Sequence, residues 1–216
     1  GGIGLGNVHR YLAEGAKVVA TARHEPPKAL PAGAVFVAAD VSKADDVARL
    51  VRTTIDRFGG LDILVNNAGI QIQKPLEETT DADWDTVMAV NVRSAFLCSR
   101  AAAPELRRRG GGSIINIGSY DGFLGDPNFS AYCASKGAVG ALTRAIAVDL
   151  GKDKIRCNVI CPGWIETEMV EDYIAHLPDP KAARASIEAI HPICRTGTPA
   201  DIASLAAWLA ADESGY

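Results

Sequence analysis

The stretch Leu61-Asp62-Ile63-Leu64-Val65-Asn66-Asn67-Ala68-Gly69 decides the fold class of this chain. Apolar residues fill its first half, Ile63 and Val65 are β-branched, and the run stops at two asparagines and a glycine. Such a segment reads as a short strand buried on both faces and closed by a turn. Similar apolar runs recur at Ala16–Ala22, Ala34–Ala39, Ser113–Ile117 and Ile155–Cys161. Helix-like segments alternate with them. One is expected to be capped by Ser42, with acidic residues in its first turn, and to run to about Phe58. Others span about Asp81 to Arg108, with an interruption allowed, about Ala131 to Leu150, and Pro199–Ala211. Apolar strands separated by helices predict a doubly wound α/β fold with a parallel sheet covered on both faces. No repeat, low-complexity tract or linker divides residues 1–216, so they read as a single domain.

Composition narrows the function. The chain has 216 residues, 48% hydrophobic and 22% charged, with a net charge of −4, which is ordinary for one soluble domain. The negative charge gives no support to nucleic-acid binding. Arg107-Arg108-Arg109 precedes three glycines at an apparent helix end, where it complements the helix dipole; a phosphate patch is the alternative. No apolar stretch has the length of a membrane span. Five cysteines, an odd number without a CxxC pair, are expected to be reduced, mostly buried thiols in a cytoplasmic protein. His176 and His191 lack companion ligands, so no metal is expected.

In doubly wound sheets, ligands bind beyond the carboxyl ends of the strands. Those ends carry Arg23, Asp40-Val41, Asn67-Ala68-Gly69, Ser119 and Pro162-Gly163. In the helix that follows, Tyr132 and Lys136 are four residues apart and share a face. An ammonium about 4 Å from a phenol favours the phenolate by about 4 kcal/mol at an effective dielectric near 20. That reading brings Tyr132 within range of proton exchange with an alcohol. Ser119 supplies a hydroxyl for the same oxygen. The spacing alone is weak, since one such pair arises by chance roughly 0.2 times in a chain of this composition; its weight comes from the surrounding pieces.

Taken together, Gly2-Ile3-Gly4, Asp40, Asn66-Asn67-Ala68-Gly69, Asn91, Ser119, Tyr132-x3-Lys136 and Pro162-Gly163-x3-Thr167 resemble the short-chain dehydrogenase/reductase family over essentially the whole chain. The general likeness is to its ketoacyl-carrier-protein-reductase-like and sugar- or polyol-dehydrogenase-like members. The resemblance implies a Rossmann-type fold and an NAD(P)-dependent oxidoreductase acting on a secondary alcohol or ketone. It implies Tyr132 as general acid/base, with Lys136 lowering its pKa and holding the nicotinamide ribose. Ser119 orients the substrate oxygen, and Asn91 helps to hold a water that links Lys136 to solvent. It further implies cofactor contacts from Gly2, Ile3, Gly4, Asn67, Ala68, Gly69, Tyr132, Lys136, Pro162, Gly163, Ile165 and Thr167, with Asp40 and Val41 beside the adenine. Gly2 and Gly4, lacking Cβ atoms, admit a pyrophosphate to a helix N-terminus. A strand before this turn and another after Tyr216 belong to the family pattern and are absent here, so the chain is expected to be a fragment truncated at both ends. Family members are dimers or tetramers, and a homodimer or homotetramer built on the segments from about Asp81 and about Ala131 is expected.

The end of the second family strand falls at Ala22, followed by Arg23 and His24, where NAD enzymes place an acidic residue. A carboxylate repels a 2′-phosphate and a guanidinium grips it, which favours NADP over NAD. Stacking of Arg23 on the adenine is the alternative and is compatible with NAD. Residues 168–194 mix apolar and charged side chains as a substrate lid does. Tyr120, Asp121, Phe123 and Trp164 are expected to line the pocket, with Ser119, Asp121, Tyr132 and Trp164 contacting substrate. Asp121 reads first as a solvent-facing loop carboxylate, with recognition of a hydroxylated substrate as the alternative. A nucleotide-sensing protein on the same fold is the reading from outside enzymology.

Overall fold

The computed structural model describes residues 2–26 and 29–216. In chain order its elements are α1 (Gly2–Ala13), β1 (Val18–Ala22), β2 (Ala34–Ala38), α2 (Ala44–Phe58), β3 (Ile63–Asn66), α3 (Asp81–Met88), α4 (Ser94–Arg108), β4 (Gly112–Ile117), α5 (Ser130–Leu150), β5 (Ile155–Ile160), α6 (Glu168–Ala175), α7 (Pro180–Ala189) and α8 (Pro199–Ala210). All strand pairs are parallel, as the apolar runs predict. Among the described residues the strands pair in two groups, β1–β2 and β3–β4–β5. No backbone ladder joins them among the described residues, and helices pack between them, α1 against α8 and α2 against α4.

β4 shows why helices cover both faces. Ile114 packs with Leu106, Leu150, Ile155 and Ala102 beneath α4 and α5. Its neighbours Ile115 and Ile117 point the other way, to Ile160, Ile202 and Ala206 beneath α8. Successive strand residues alternate faces, so one apolar run feeds two cores. Burying each such side chain contributes about 1.5–3 kcal/mol. Register with β5 pairs Ile114 with Cys157 and Ile117 with Ile160, which brings the carboxyl ends of both strands to one edge.

Local departures from the sequence reading have local causes. Ser42 does not cap α2. Its N–H and hydroxyl both bind Asp40 Oδ1, at 3.1 and 2.6 Å, a side-chain turn that competes with the capping geometry. The interruption allowed between Asp81 and Arg108 is a π-helical turn at Ala89–Arg93. π turns inside helices bulge the backbone and are frequent at functional sites; Asn91 lies in this one. The cysteines are free thiols, with Cys98 and Cys157 buried but Cys194 exposed, which corrects the expectation of burial for Cys194.

Candidate active site

The floor of the site is the carboxyl edge of β3, β4 and β5. Just below it, Asn116 is fully buried, accepting from Asn66 Nδ2 at 2.8 Å and donating to Thr143 Oγ1 at 2.8 Å. Asn66 Nδ2 also reaches Ser99 Oγ at 3.2 Å. A buried amide bonded on both sides ties β3 and β4 to α5. Ser119 follows immediately. Its hydroxyl accepts from the Asp121 N–H at 3.2 Å and lies 3.0 Å from Asp121 Oδ2.

α5 brings Tyr132 and Lys136 to this edge. Lys136 is 6% exposed, and its ammonium donates to the Ile117 carbonyl at 2.9 Å while lying 5.5 Å from the Tyr132 ring centroid. Asn91 is held by Ile70 on both sides of its amide: Oδ1 accepts from Ile70 N and Nδ2 donates to Ile70 O, each at 2.8 Å. Nδ2 also donates to Ser135 Oγ at 2.9 Å. Gly69 closes the gap, for a Cβ there would stand 3.3 Å from Lys136 Nζ and 3.5 Å from Asn91 Oδ1. Asn91, Ser119, Tyr132 and Lys136 therefore lie around one space.

Electrostatics in that space differ from the simple pair picture. Burial pushes the Tyr132 phenol up to about 12, against a smaller downward pull from Ser119, with Asp121 and Cys133 adding to the rise. Burial lowers Lys136 to about 8, partly offset by Cys161 and Asp121. Lys136 spends its ammonium on a carbonyl and faces the ring rather than the phenol oxygen, so desolvation outweighs the acidification expected from sequence.

The residues expected to contact a cofactor are spread along the same edge. α1 carries no acidic residue in its first turn, which leaves its N-terminal N–H groups suited to an anion. Gly4 approaches Asn67 closely, since a Cβ would stand 2.8 Å from Asn67 Nδ2 and displace that side chain. Gly2 and Ile3 open α1, and Gly2 adjoins the Thr167 methyl. The Thr167 hydroxyl caps α6 through Val170 N–H. Pro162 and Ile165 are buried, while Ala68 and Gly163 are exposed. Arg23 is exposed beyond β1 and, among the described residues, forms no ion pair. The hydrogen bonds from Ser42 hold the Asp40 carboxyl below its ordinary range, with Lys43 and Arg23 contributing. Val41 packs at the edge of the Val47, Leu97 and Cys98 cluster.

Residues 168–194 form two short helices whose base is stitched by a bridge between Ile165 and Gly197. Tyr173 of α6 lies 5.4 Å from the Trp164 ring and 6.4 Å from Phe129, whose ring is 6.1 Å from Tyr132. Phe129 was not singled out in the sequence, although it precedes Tyr132 by three residues at the N-cap of α5, the spacing of neighbours on one helix face. His191 donates from Nδ1 to Ile187 O at 2.7 Å and therefore accepts Trp164 N–H at Nε2, at 3.3 Å. The Trp164 indole N–H is buried, faces the Tyr120 hydroxyl and, among the described residues, has no acceptor within hydrogen-bond distance. Asp121 is buried rather than solvent-facing, and Phe123 is exposed rather than lining the space. A cavity of about 400 Å³ lies between Gln71, Gln73 and Met169, Tyr173, His176 and Leu177. A larger one, about 880 Å³, adjoins the glycine turn between α1, α6 and α8.

Known proteins match this chain throughout. The family model described as enoyl-(acyl carrier protein) reductase matches residues 1–216. The chain is 36% identical over 225 residues to an NADP-dependent (R)-specific alcohol dehydrogenase of Lentilactobacillus kefiri, spanning 100% of this chain and 87% of that protein. It is 38% identical over 218 residues to L-fucose dehydrogenase of Oryctolagus cuniculus, spanning 99% and 76%. Ligand-free aldohexose dehydrogenase of Thermoplasma acidophilum superposes with a TM-score of 0.93 at 32% identity, covering 99% of this chain and 84% of that one. The chain belongs to the short-chain dehydrogenase/reductase family and is an oxidoreductase with its Rossmann-type fold. Among the described residues, no helix is long and apolar enough to cross a membrane.

Proposed function

We propose that this protein interconverts a secondary alcohol and its ketone with NADP, using Tyr132 as general acid/base. The observation that carries the reading is the buried cluster of Lys136, Ser119 and Asn91 beside Tyr132 at the carboxyl ends of β4 and β5. A buried ammonium, amide and hydroxyl gathered beside one tyrosine cost stability and are more readily explained by chemistry than by packing.

The residues present fit a dinucleotide: an open helix N-terminus with Gly4 in close approach to Asn67, and an exposed guanidinium at Arg23. Gly2, Ile3, Gly4, Asn67, Ala68, Gly69, Pro162, Gly163, Ile165 and Thr167 would hold it, with Asp40 and Val41 at its adenine end. When bound, the nicotinamide supplies or accepts the hydride. Ser119 and Tyr132 would hold the substrate oxygen. With its pKa near 12, Tyr132 is protonated at neutral pH and suited to give that proton to an alkoxide forming from a ketone. Lys136, at about 8, is the neighbouring group able to replace the proton, and Asn91 keeps the backbone beside it in place. Trp164 and Tyr173 would close the lid at residues 168–194 over the substrate, the free indole N–H meeting a substrate acceptor.

A sugar or polyol dehydrogenase is the second reading, favoured by the likeness to the fucose and aldohexose dehydrogenases. Exposed Phe96 on α4 and Val148 on α5 support a homodimer or homotetramer built on those helices.

Fluorescence titration with NADPH and NADH tests the cofactor, and ketone reduction by Tyr132→Phe tests the chemistry. NADPH should bind more tightly, and the variant should lose about 10²–10⁴-fold in turnover while keeping its NADPH affinity. Tighter NADH binding would remove NADP from the reading, and an active Tyr132→Phe would remove the acid/base role.

A further inference from the structure

Asp121 is a buried acid with no task in the chemistry above. It is 8% exposed, and among the described residues it has no ion-pair partner. Its Oδ2 lies 3.0 Å from Ser119 Oγ, its own N–H donates to that Oγ at 3.2 Å, and the Cys133 thiol donates to Oδ1 at 3.7 Å. Tyr120 and Asp126, themselves hydrogen-bonded to each other, face it from its own loop; Tyr132, Cys133 and Lys136 face it from α5.

The geometry points to Asp121 as a positioning residue whose proton decides whether Ser119 donates or accepts a hydrogen bond at the substrate oxygen. This role rests on the alcohol/ketone reading. A serine hydroxyl has one donor and two lone pairs. With Asp121 ionised, the Ser119 O–H is committed to the carboxylate and one lone pair takes the Asp121 N–H. What remains is a lone pair, matched to an alcohol. With Asp121 neutral, its O–H donates to Ser119 Oγ and fills the second lone pair. The Ser119 O–H is then free and matched to a ketone. One proton thus reverses the polarity of the free site.

The surroundings make that proton available. Desolvation raises the Asp121 pKa above the ordinary carboxylate range, Ser119 pulls it down, Asp126 pushes it up, and Cys133 and Lys136 pull it down. A neutral acid in a polar but unpaired burial site is the arrangement in which a carboxyl can donate.

The test is the pH profile of kcat/KM for ketone reduction in the wild type and in Asp121→Asn, whose carboxamide can donate to Ser119 at every pH. The wild type should fall in two steps as pH rises. The lower step, where Ser119 ceases to donate, should cost on the order of 100-fold, the scale of losing one such donor. Asp121→Asn should keep only the upper step, with unchanged NADPH affinity. If that variant does not fold, Ser119→Ala serves: its residual activity should show no lower step, because nothing is left for Asp121 to orient. A lower step that persists in either variant, or a wild type with one step only, overturns the role of Asp121 alone. A wild type that reduces no ketone at any pH overturns the alcohol/ketone reading and this role with it.

Discussion

Along the floor of the site, Asn116, Ser135, Lys136 and Asn91 are buried and each has a partner among the described residues. From Glu168 to Cys194, the polar side chains stay wet. The Glu171–Arg184 pair is 2.5 Å long, yet both partners are largely exposed, and Met169, Ile190 and Ile193 also face solvent. Only Ile174 and Ile187 anchor α6 and α7 from within. The difference is one of local stability. Buried networks open only with the whole fold, whereas a segment with few buried contacts opens alone and cheaply. A site that must hold a proton donor still while admitting substrate has use for both.

The sharpest way to break this comparison is Lys136→Met. Loss of the ammonium should reduce ketone turnover about 10²–10⁴-fold, yet stabilise the chain at pH 7. The sign follows from burial. The folded pKa, about 8, lies below the ordinary 10.5, so stability is lost as pH falls from about 10.5 to about 8 and stays lost below. The gain at pH 7 is up to about 3 kcal/mol. Urea denaturation should show wild-type stability rising between pH 8 and pH 10, with the variant lacking that rise; equal curves would mean that the floor does not strain its lysine.

Asn116→Ala probes the same floor without touching the chemistry. It removes one partner from the Asn66 amide and one from the Thr143 hydroxyl, which keep Ser99 Oγ and Val139 O, and should cost about 1–2 kcal/mol in denaturant unfolding, with NADPH affinity kept. A cost near zero would show the network to be replaceable. The smallest effect is expected in the lid. Arg184→Ala removes an exposed pair and should change stability by less than about 1 kcal/mol, within the scatter of a thermal melt. A drop as large as that of Asn116→Ala would erase the contrast between the regions.

How much of this was legible depends on the range of the interaction. The strand at β3 and the helix at α5 could be read because apolar period and turn residues are local signals. Tyr132 and Lys136 could be paired because helix geometry alone sets their spacing. Ser42 misled because a cap and a side-chain turn to Asp40 compete over the same few residues. The buried state of Asp121 and the grip of His191 on Trp164 had no local signature. Each joins residues from separate elements.

By itself, then, the sequence determined the alternation of strands and helices, the polar residues at the strand ends and the family, all properties of neighbours along the chain. The tertiary structure alone decided that Asn91 sits in a π turn, that Tyr132 is pushed up rather than down and that Asp121 lies behind Ser119. Burial and desolvation depend on what distant segments bring to the same place, and no spacing along the chain encodes that sum.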